Sequence, residues 1–231
     1  MPQDDSEAAK WIRKAADQGE AEAQYNLGFL YQNGKGIPQD LTEAVKWIRK
    51  AADQGFAMAQ SDLGGILLSG RGVPPDDAEA VTWIRKAANQ GLATAQSDLG
   101  KMYASGRGVS QDDTEAAKWI RMAADQGLAA AQSDQGKMYA SGRGVRLDYT
   151  MAAKWMRMAA DQGDAEAQAN LGAMYANGSG VQPDDVQALL WINLAAAQGN
   201  AAAMKNRNLV AAKMTPAQIA EAEKLAREWK P

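Results

Sequence analysis

Tryptophan recurs every 36 residues, at Trp11, Trp47, Trp83, Trp119, Trp155 and Trp191 (11 to 47, 47 to 83, and so on). Five equal intervals demand one supersecondary unit copied along the chain, because periods of about 20–50 residues belong to solenoids, propellers and related arrays. Such an array has no single central core; each copy packs on its neighbours. The 231 residues therefore do not convert into a number of globular domains.

The unit reads well as Ala21–Phe56, with further copies at Ala57–Leu92, Ala93–Leu128, Ala129–Asp164 and Ala165–Asn200. Each opens on a helix, here helix A, in which Ala23, Leu27 and Tyr31 fall at i, i+4 and i+8 and mark one core stripe. Gly28, Gly64, Gly100, Gly136 and Gly172 lie inside that helix, where glycine costs about 1 kcal/mol against alanine. Its recurrence predicts a close helix crossing that admits only a bare Cα. A Gly-x-Gly loop follows (Gly34-Lys35-Gly36, Gly70-Arg71-Gly72, Gly106-Arg107-Gly108, Gly142-Arg143-Gly144, Gly178-Ser179-Gly180), its first glycine placed as a left-handed cap. No strand pattern precedes it, and the third glycine of a dinucleotide loop is missing, so a phosphate cradle is not expected.

Helix B then starts with Asp and, three residues on, Glu or Gln, a capping-box-like spacing seen at Asp4/Glu7, Asp40/Glu43, Asp76/Glu79, Asp112/Glu115 and Asp184/Gln187. Asp148 is followed by Met151, which leaves that box incomplete. On helix B one face carries Ala44, Trp47, Ala51 and Ala52: a large wedge among small residues. The chain begins with a lone helix B near Asp5–Asp17, half a unit. It closes with a sixth helix A near Ala201–Lys213 and a capping helix, in which Thr215, Pro216 and Gln218 form the start signal and Ile219, Ala222, Leu225, Ala226 and Trp229 one apolar stripe. The expected organisation is a single solenoid over 1–231: a half repeat at 1–20, full repeats at 21–56, 57–92, 93–128, 129–164 and 165–200, and a cap at 201–231.

With no cysteine and no histidine, thiolate catalysis, disulfides, Cys or His metal ligation and a histidine base are all excluded. No cofactor or metal is implied. A net charge of −3 gives no basic field for nucleic acid, and no apolar run approaches a membrane span. The first residues, Met1-Pro2-Gln3-Asp4-Asp5, hold no signal-peptide stretch, which leaves periplasm and cytoplasm both open.

The run Gly106, Gly108, Val109, Asp112, Ala116, Trp119, Ala123, Ala124, Gln126, Gly127, preceded by Ala-x-Ala-Gln-x-x-Leu-Gly-x-x-Tyr, resembles the Sel1-like repeat, a relative of the tetratricopeptide repeat. The likeness covers residues 3 to about 204. Departures are Gln135 for Leu, Leu67 for Tyr and Ser179 for a basic loop residue. The resemblance implies an all-α fold, a right-handed α/α superhelical solenoid of 36-residue helix-turn-helix repeats with A helices lining the concave side. It also implies a non-enzymatic, bacterial scaffold or adaptor that holds a protein or extended peptide in that groove.

On the same analogy the groove presents Tyr25, Asn26, Phe29, Gln32, Asn33, Asn170, Ala173 and Asn177, and in the middle units Ser61, Asp62, Leu68, Ser97, Asp98, Lys101, Ser133, Asp134 and Lys137. Asp62, Asp98 and Asp134 would form an acidic ladder suited to a peptide with basic side chains. Alternatively, Asp98/Lys101 and Asp134/Lys137 are solvated i, i+3 pairs. Tyr25 and Phe29 lie off the core stripe and suit binding anchors. The loop cations Lys35, Arg71, Arg107 and Arg143 are expected to be neutralised by the nearby cap aspartates. Two alternatives come from other classes. One is a weak hydrolase or penicillin-binding activity like that of cysteine-rich relatives, for which Ser97/Lys101 and Ser133/Lys137 could pair across one helical turn, an arrangement that repeat copying would duplicate. The other is self-association through the N-terminal half repeat.

Overall fold

The computed structural model describes residues 2–230, with side chains from Asp5 onward. Thirteen helices and no strand occur among these residues. They group into two compact units, Met1–Asp112 and Asp113–Pro231. The first holds α1 (Pro2–Asp17), α2 (Ala21–Asn33), α3 (Leu41–Asp53), α4 (Ala57–Ser69), α5 (Asp77–Asn89) and α6 (Ala93–Ser105). The second holds α7 (Asp113–Asp125), α8 (Ala129–Ser141), α9 (Tyr149–Asp161), α10 (Ala165–Asn177), α11 (Asp185–Ala197), α12 (Ala201–Ala211) and α13 (Pro216–Glu228). Within each unit helices pack mainly on their sequence neighbours, and α13 folds back onto α11. The architecture is an all-α helical repeat solenoid.

The glycines set the joints. Gly34, Gly70, Gly106, Gly142 and Gly178 all end their A helices at φ of 65–73°, the left-handed conformation in which a Cβ is strained. Inside the helices, a Cβ on Gly28 would lie 2.6 Å from Cγ1 of Ile48, and one on Gly172 2.7 Å from Cγ1 of Ile192. The A and B helices of a repeat therefore meet backbone to side chain. The second loop glycine makes room for a neighbouring repeat, since a Cβ on Gly72 would sit 2.7 Å from the carbonyl oxygen of Leu41, at the start of the preceding B helix.

Between helices, Trp47 is buried with Ala16 of α1 and Leu27 of α2, and Trp191 with five small or flexible residues of α9, including Ala152, Ala153 and Met156. Each of these two indoles is a wedge against small residues of the preceding B helix. A side chain of this size removes about 150–250 Å² from water, about 4–6 kcal/mol at most. Trp11 on α1 packs on no preceding B helix among the described residues and is 64% exposed.

The B-helix starts differ from the capping box the spacing suggests. Asp40 accepts from the backbone N–H of Thr42 and Glu43 (3.0 Å each), and Asp76, Asp148 and Asp184 cap in the same way. The reciprocal bond is missing because the Asp40 N–H is already spent on the carbonyl of Tyr31 (3.0 Å), and Glu43 turns to Lys46. For the same reason Asp148 caps α9 without a glutamate partner. Helix α1 starts at Pro2, ahead of the expected Asp5; Asp4 lies inside it and its side chain is outside the described residues, while proline suits a first helical turn. A complete box forms once, at Thr215 and Gln218, as the sequence predicts.

The buried arc of helix A is shifted as well. Leu27 is in the core, but Ala23 and Tyr31 sit at its rim, and the fully packed positions are Gln24 and Gly28. Tyr31 stays at the rim because its hydroxyl accepts from Arg13 of α1. Arg85 and Tyr103, Arg121 and Tyr139, and Arg157 and Tyr175 repeat that bond. Where Leu67 replaces the tyrosine, Arg49 instead pairs with Glu79, which also accepts from the indole of Trp83 at 3.0 Å.

Candidate functional site

The outward face of the A helices divides into positions that packing consumes and positions that it leaves. In the first unit Tyr25 is consumed. Its hydroxyl donates to Oδ2 of Asp62 at 2.7 Å, and its ring meets Phe56 at 5.4 Å. Burial and then the Asp62 carboxylate push the phenol pKa well above its ordinary value. Phe29, one turn on, remains 50% exposed, and Asn26 beside it is exposed without a hydrogen bond among the described residues. Asp62 is thus the acceptor for Tyr25 rather than a bare rung of an acidic ladder. Asp98 lies at the surface, yet its packed flanks withhold water from the carboxyl and raise its pKa, an effect that Lys101 only partly offsets.

In the second unit Lys137 bridges two carboxylates, Asp134 at 2.8 Å on its own helix and Glu166 at 3.0 Å on α10. Burial opposes the charge on Lys137, but these two bonds outweigh it and raise its pKa. The i, i+3 pairing expected for Asp134/Lys137 is therefore present. The two serines are not groove residues. Ser97 and Ser133 are 3% and 2% exposed, and neither Oγ has a hydrogen-bond partner. Position 5 of those A helices turns into the interior, where a serine is small enough to fit between packed helices.

The loop cations are paired, though not with the cap aspartates. The partner is the residue after the cap aspartate of the preceding B helix: Asp5 for Lys35 (3.8 Å), and, at the first helical position, Asp77 for Arg107 (2.8 Å) and Asp113 for Arg143 (2.7 Å). The Asp76 carboxylate is already engaged with the backbone N–H of Glu79. Leu41 stands at that position before Arg71, and Arg71 instead meets the side-chain oxygen of Gln32 at 3.3 Å. Only about 10 Å³ of space remains there, between Gln32, Leu41, Ala44, Val45, Ile66 and Arg71.

Three repeats later, Ala140 replaces Gln32 and Ser179 replaces Arg71 (32 + 108 and 71 + 108). The same place is now a cleft of about 380 Å³, walled by Lys137, Ala140 and Ser141 of α8 and by Glu166, Asn170, Ala173, Met174 and Asn177 of α10, with Tyr149 and Met156 of α9 beneath. Ala173 and Asn177 also line the adjoining hollow of about 200 Å³, formed with Ile192 of α11, Leu209 and Val210 of α12, and Lys213. The side chains of Asn170 and Asn177 make no hydrogen bond among the described residues, whereas that of Asn33, at the register of Asn177, donates to the carbonyl of Phe29 at 2.8 Å. Of the sequence-predicted set, the structure brings together Lys137 and Asn170 here, and Tyr25 with Asp62 in the first unit. Asn177 gains its weight from the cleft. The signal that could have marked it is the joint exchange at 140 and 179.

Among the described residues, no cluster of three or more carboxylates could hold a metal ion, and no helix is long and apolar enough to cross a membrane.

Comparison with known proteins fits this geometry. The Sel1 repeat model matches residues 1–20, 21–56, 57–92, 93–128, 129–164 and 165–200. The crystal structure of a Sel1 repeat protein from Oxalobacter formigenes is 33% identical over 99% of both chains, with a TM-score of 0.80. That of c5321, a protective antigen of uropathogenic Escherichia coli with an SLR fold, is 32% identical over 97% of this chain and 56% of its own, with a TM-score of 0.65. A putative Sel1 repeat protein from Klebsiella pneumoniae, at 21% identity over 88% of this chain and 99% of its own (TM-score 0.53), shares the fold. No curated protein matches. Proteins of this type are generally protein-interaction scaffolds without enzymatic activity. With six copies of the motif spanning most of its length and a relative matched end to end, the chain belongs to the Sel1 repeat family.

Proposed function

We propose that the chain is a non-enzymatic scaffold that binds a protein or extended peptide on the outward faces of its A helices, in the first unit through Asn26 and Phe29, beside the Tyr25–Asp62 bond and with Asp98 and Lys101, and in the second through Asn170, beside the Asp134–Lys137 pair. The observation that carries this reading is that these faces hold groups the repeat packing does not need: Phe29 is half exposed, and Asn26 and Asn170 have unused amides. An exposed aromatic beside an unpaired amide suits a partner that offers apolar side chains and a main chain together. The non-enzymatic part is supported by the burial of the Ser97 and Ser133 hydroxyls away from any hydrogen-bonding base and by the commitment of Lys137 to two carboxylates.

Panning a random-peptide display library on the folded protein tests the binding role. Enriched peptides that lose binding to Phe29→Ala with Asn26→Ala, or to Asn170→Ala, at unchanged melting temperature support it. A library that enriches nothing overturns it. Covalent labelling by a β-lactam or a serine-reactive probe would overturn the non-enzymatic reading. Self-association has one observation in its favour, the 64% exposure of Trp11. A sedimentation coefficient that stays constant across protein concentration removes it.

A further inference from the structure

The cleft of the second unit is lined by different side chains from its counterpart 108 residues earlier, the exchanges of Gln32 for Ala140 and Arg71 for Ser179 among them, and that lining selects a ligand. We infer that the face of α8, α10 and α12 is a recognition groove for an extended, carboxylate-bearing peptide with two apolar side chains, opened by Ala140 and Ser179 where Gln32 and Arg71 close the equivalent place. The inference rests on the scaffold reading and gives it a ligand class.

Shape comes first. About 10 Å³ remains where Gln32 and Arg71 meet, and about 380 Å³ where the smaller Ala140 and Ser179 stand, bounded by Met156 and Met174. The second hollow, about 200 Å³ and floored by Ile192 and Val210, shares Ala173 and Asn177 with the first, so the two are neighbours along one groove. Methionine and aliphatic floors accept apolar side chains of varied shape. Packed helices lie about 8–10 Å apart, and a polyproline-II segment advances about 9 Å in three residues while returning a side chain to the same face. Apolar residues at i and i+3 of an extended ligand therefore match the two hollows. The carboxamides of Asn170 and Asn177 each offer a donor and an acceptor to the ligand's main chain.

Charge fixes the rest. At the α8 end the cation Lys137 is already neutralised by Asp134 and Glu166. At the other end, residues 201–213 carry Lys205, Arg207 and Lys213 and no Asp or Glu. None of these three has a carboxylate within ion-pair distance among the described residues, and Lys213 lines the second hollow. A carboxylate on the ligand complements that end. This is opposite in sign to the basic peptide that the aspartate register suggests.

The test uses short fluorescent peptides in which two leucines flank a Pro-Ser pair, with glutamates at either the leading or the trailing end. Fluorescence anisotropy with the full chain should show binding that weakens at least about tenfold, about 1.4 kcal/mol, when the leucines become alanine or the glutamates lysine. Ala140→Gln with Ser179→Arg, which restores the plug of the first unit, should produce a comparable loss at unchanged melting temperature. Asn170→Ala with Asn177→Ala, at surface positions, serves as a second probe if the plugged variant misfolds. Lys213→Glu should reverse the preference between glutamate and lysine peptides. Equal binding by wild type and both groove variants would overturn the inference and leave the scaffold reading in place, and so would enrichment of only basic peptides by display panning. No binding here and nothing enriched by panning would overturn both.

Discussion

Two adjacent glycines in α4 show how a single atom is judged by its surroundings. Gly64 faces α5: a Cβ there would overlap Ile84 and lie 3.2 Å from the carbonyl oxygen of Ala80. Gly65 faces outward, with nothing within 4 Å of the same added atom. Alanine gains about 1 kcal/mol over glycine in a helix, but forcing a methyl group into a packed crossing costs about 1–3 kcal/mol. Gly65→Ala should therefore raise the melting temperature and Gly64→Ala lower it, a sign change between neighbours that thermal unfolding reads directly. Equal shifts would mean that the crossing is looser than these distances imply. Tyr25 gives a second prediction at this scale. Burial and the Asp62 carboxylate raise its folded-state pKa above the unfolded value of about 10. The stability linked to the neutral phenol is thus complete below pH of about 10 and is lost as pH climbs beyond it, because the unfolded chain then ionises first. Tyr25→Phe should be less stable at neutral pH by about 0.5–1.5 kcal/mol for the lost hydrogen bond, with a flatter decline in strong alkali. Urea titrations across pH give both numbers.

Between elements, the repeats are tied by buried glutamines. Gln60 is 4% exposed on α4; its Nε2 donates to the last-turn carbonyl of Ala52 in α3 (3.0 Å), and its Oε1 accepts from Gln90 (2.8 Å). Gln90, at the end of α5, donates also to the carbonyl of Gly55 (2.9 Å). Gln24 with Gln54, Gln132 with Gln162 and Gln168 with Gln198 repeat the tie. Each pair satisfies helix-end carbonyls that would otherwise be orphaned. Gln60→Leu should cost about 1–3 kcal/mol, the range for a buried polar group left unpaired. A double-mutant cycle with Gln90→Leu should recover part of that loss. Strict additivity would mean that the two amides act separately. These glutamines were visible in the sequence as letters of the motif but not as a pair, because their bond joins positions 30 residues apart. The same physics divides what could be read beforehand from what could not. The glycine caps, the aspartate N-caps and the Thr215 box depend on a few consecutive residues, and local chemistry dictates them. The fates of Tyr25, Ser97 and Ser133 depend on which neighbouring repeat lies over them. The cleft at Ala140 and Ser179 needs two small residues 39 positions apart to be recognised as facing each other.

At the scale of the molecule, a solenoid's stability is a sum of repeat terms and nearest-neighbour terms, and the end of the second unit allows that sum to be tested. Helix α13 returns to α11. Its Ala222 is fully buried, its Trp229 meets Trp191 edge-on at 6.3 Å, and Ile219, Leu225 and Ala226 pack on the same clusters. It covers an end that would otherwise present the apolar flanks of α11 and α12 to water. A stop codon after Lys213 removes that cover without touching any other repeat. Because α13 packs on α11 and the remaining contacts pass from neighbour to neighbour, the loss should decay along the unit. Hydrogen exchange should show protection falling most in α11 and α12, less in α10 and least in α8. The groove would then fail from its Lys213 end while the cleft between α8 and α10 persisted, so a peptide with a single leucine should still bind the truncated chain where the two-leucine peptide has lost its advantage. Uniform loss of protection across α8–α12 would instead mean that the unit unfolds as one cooperative block, with interface terms large enough to outweigh the independence of its repeats.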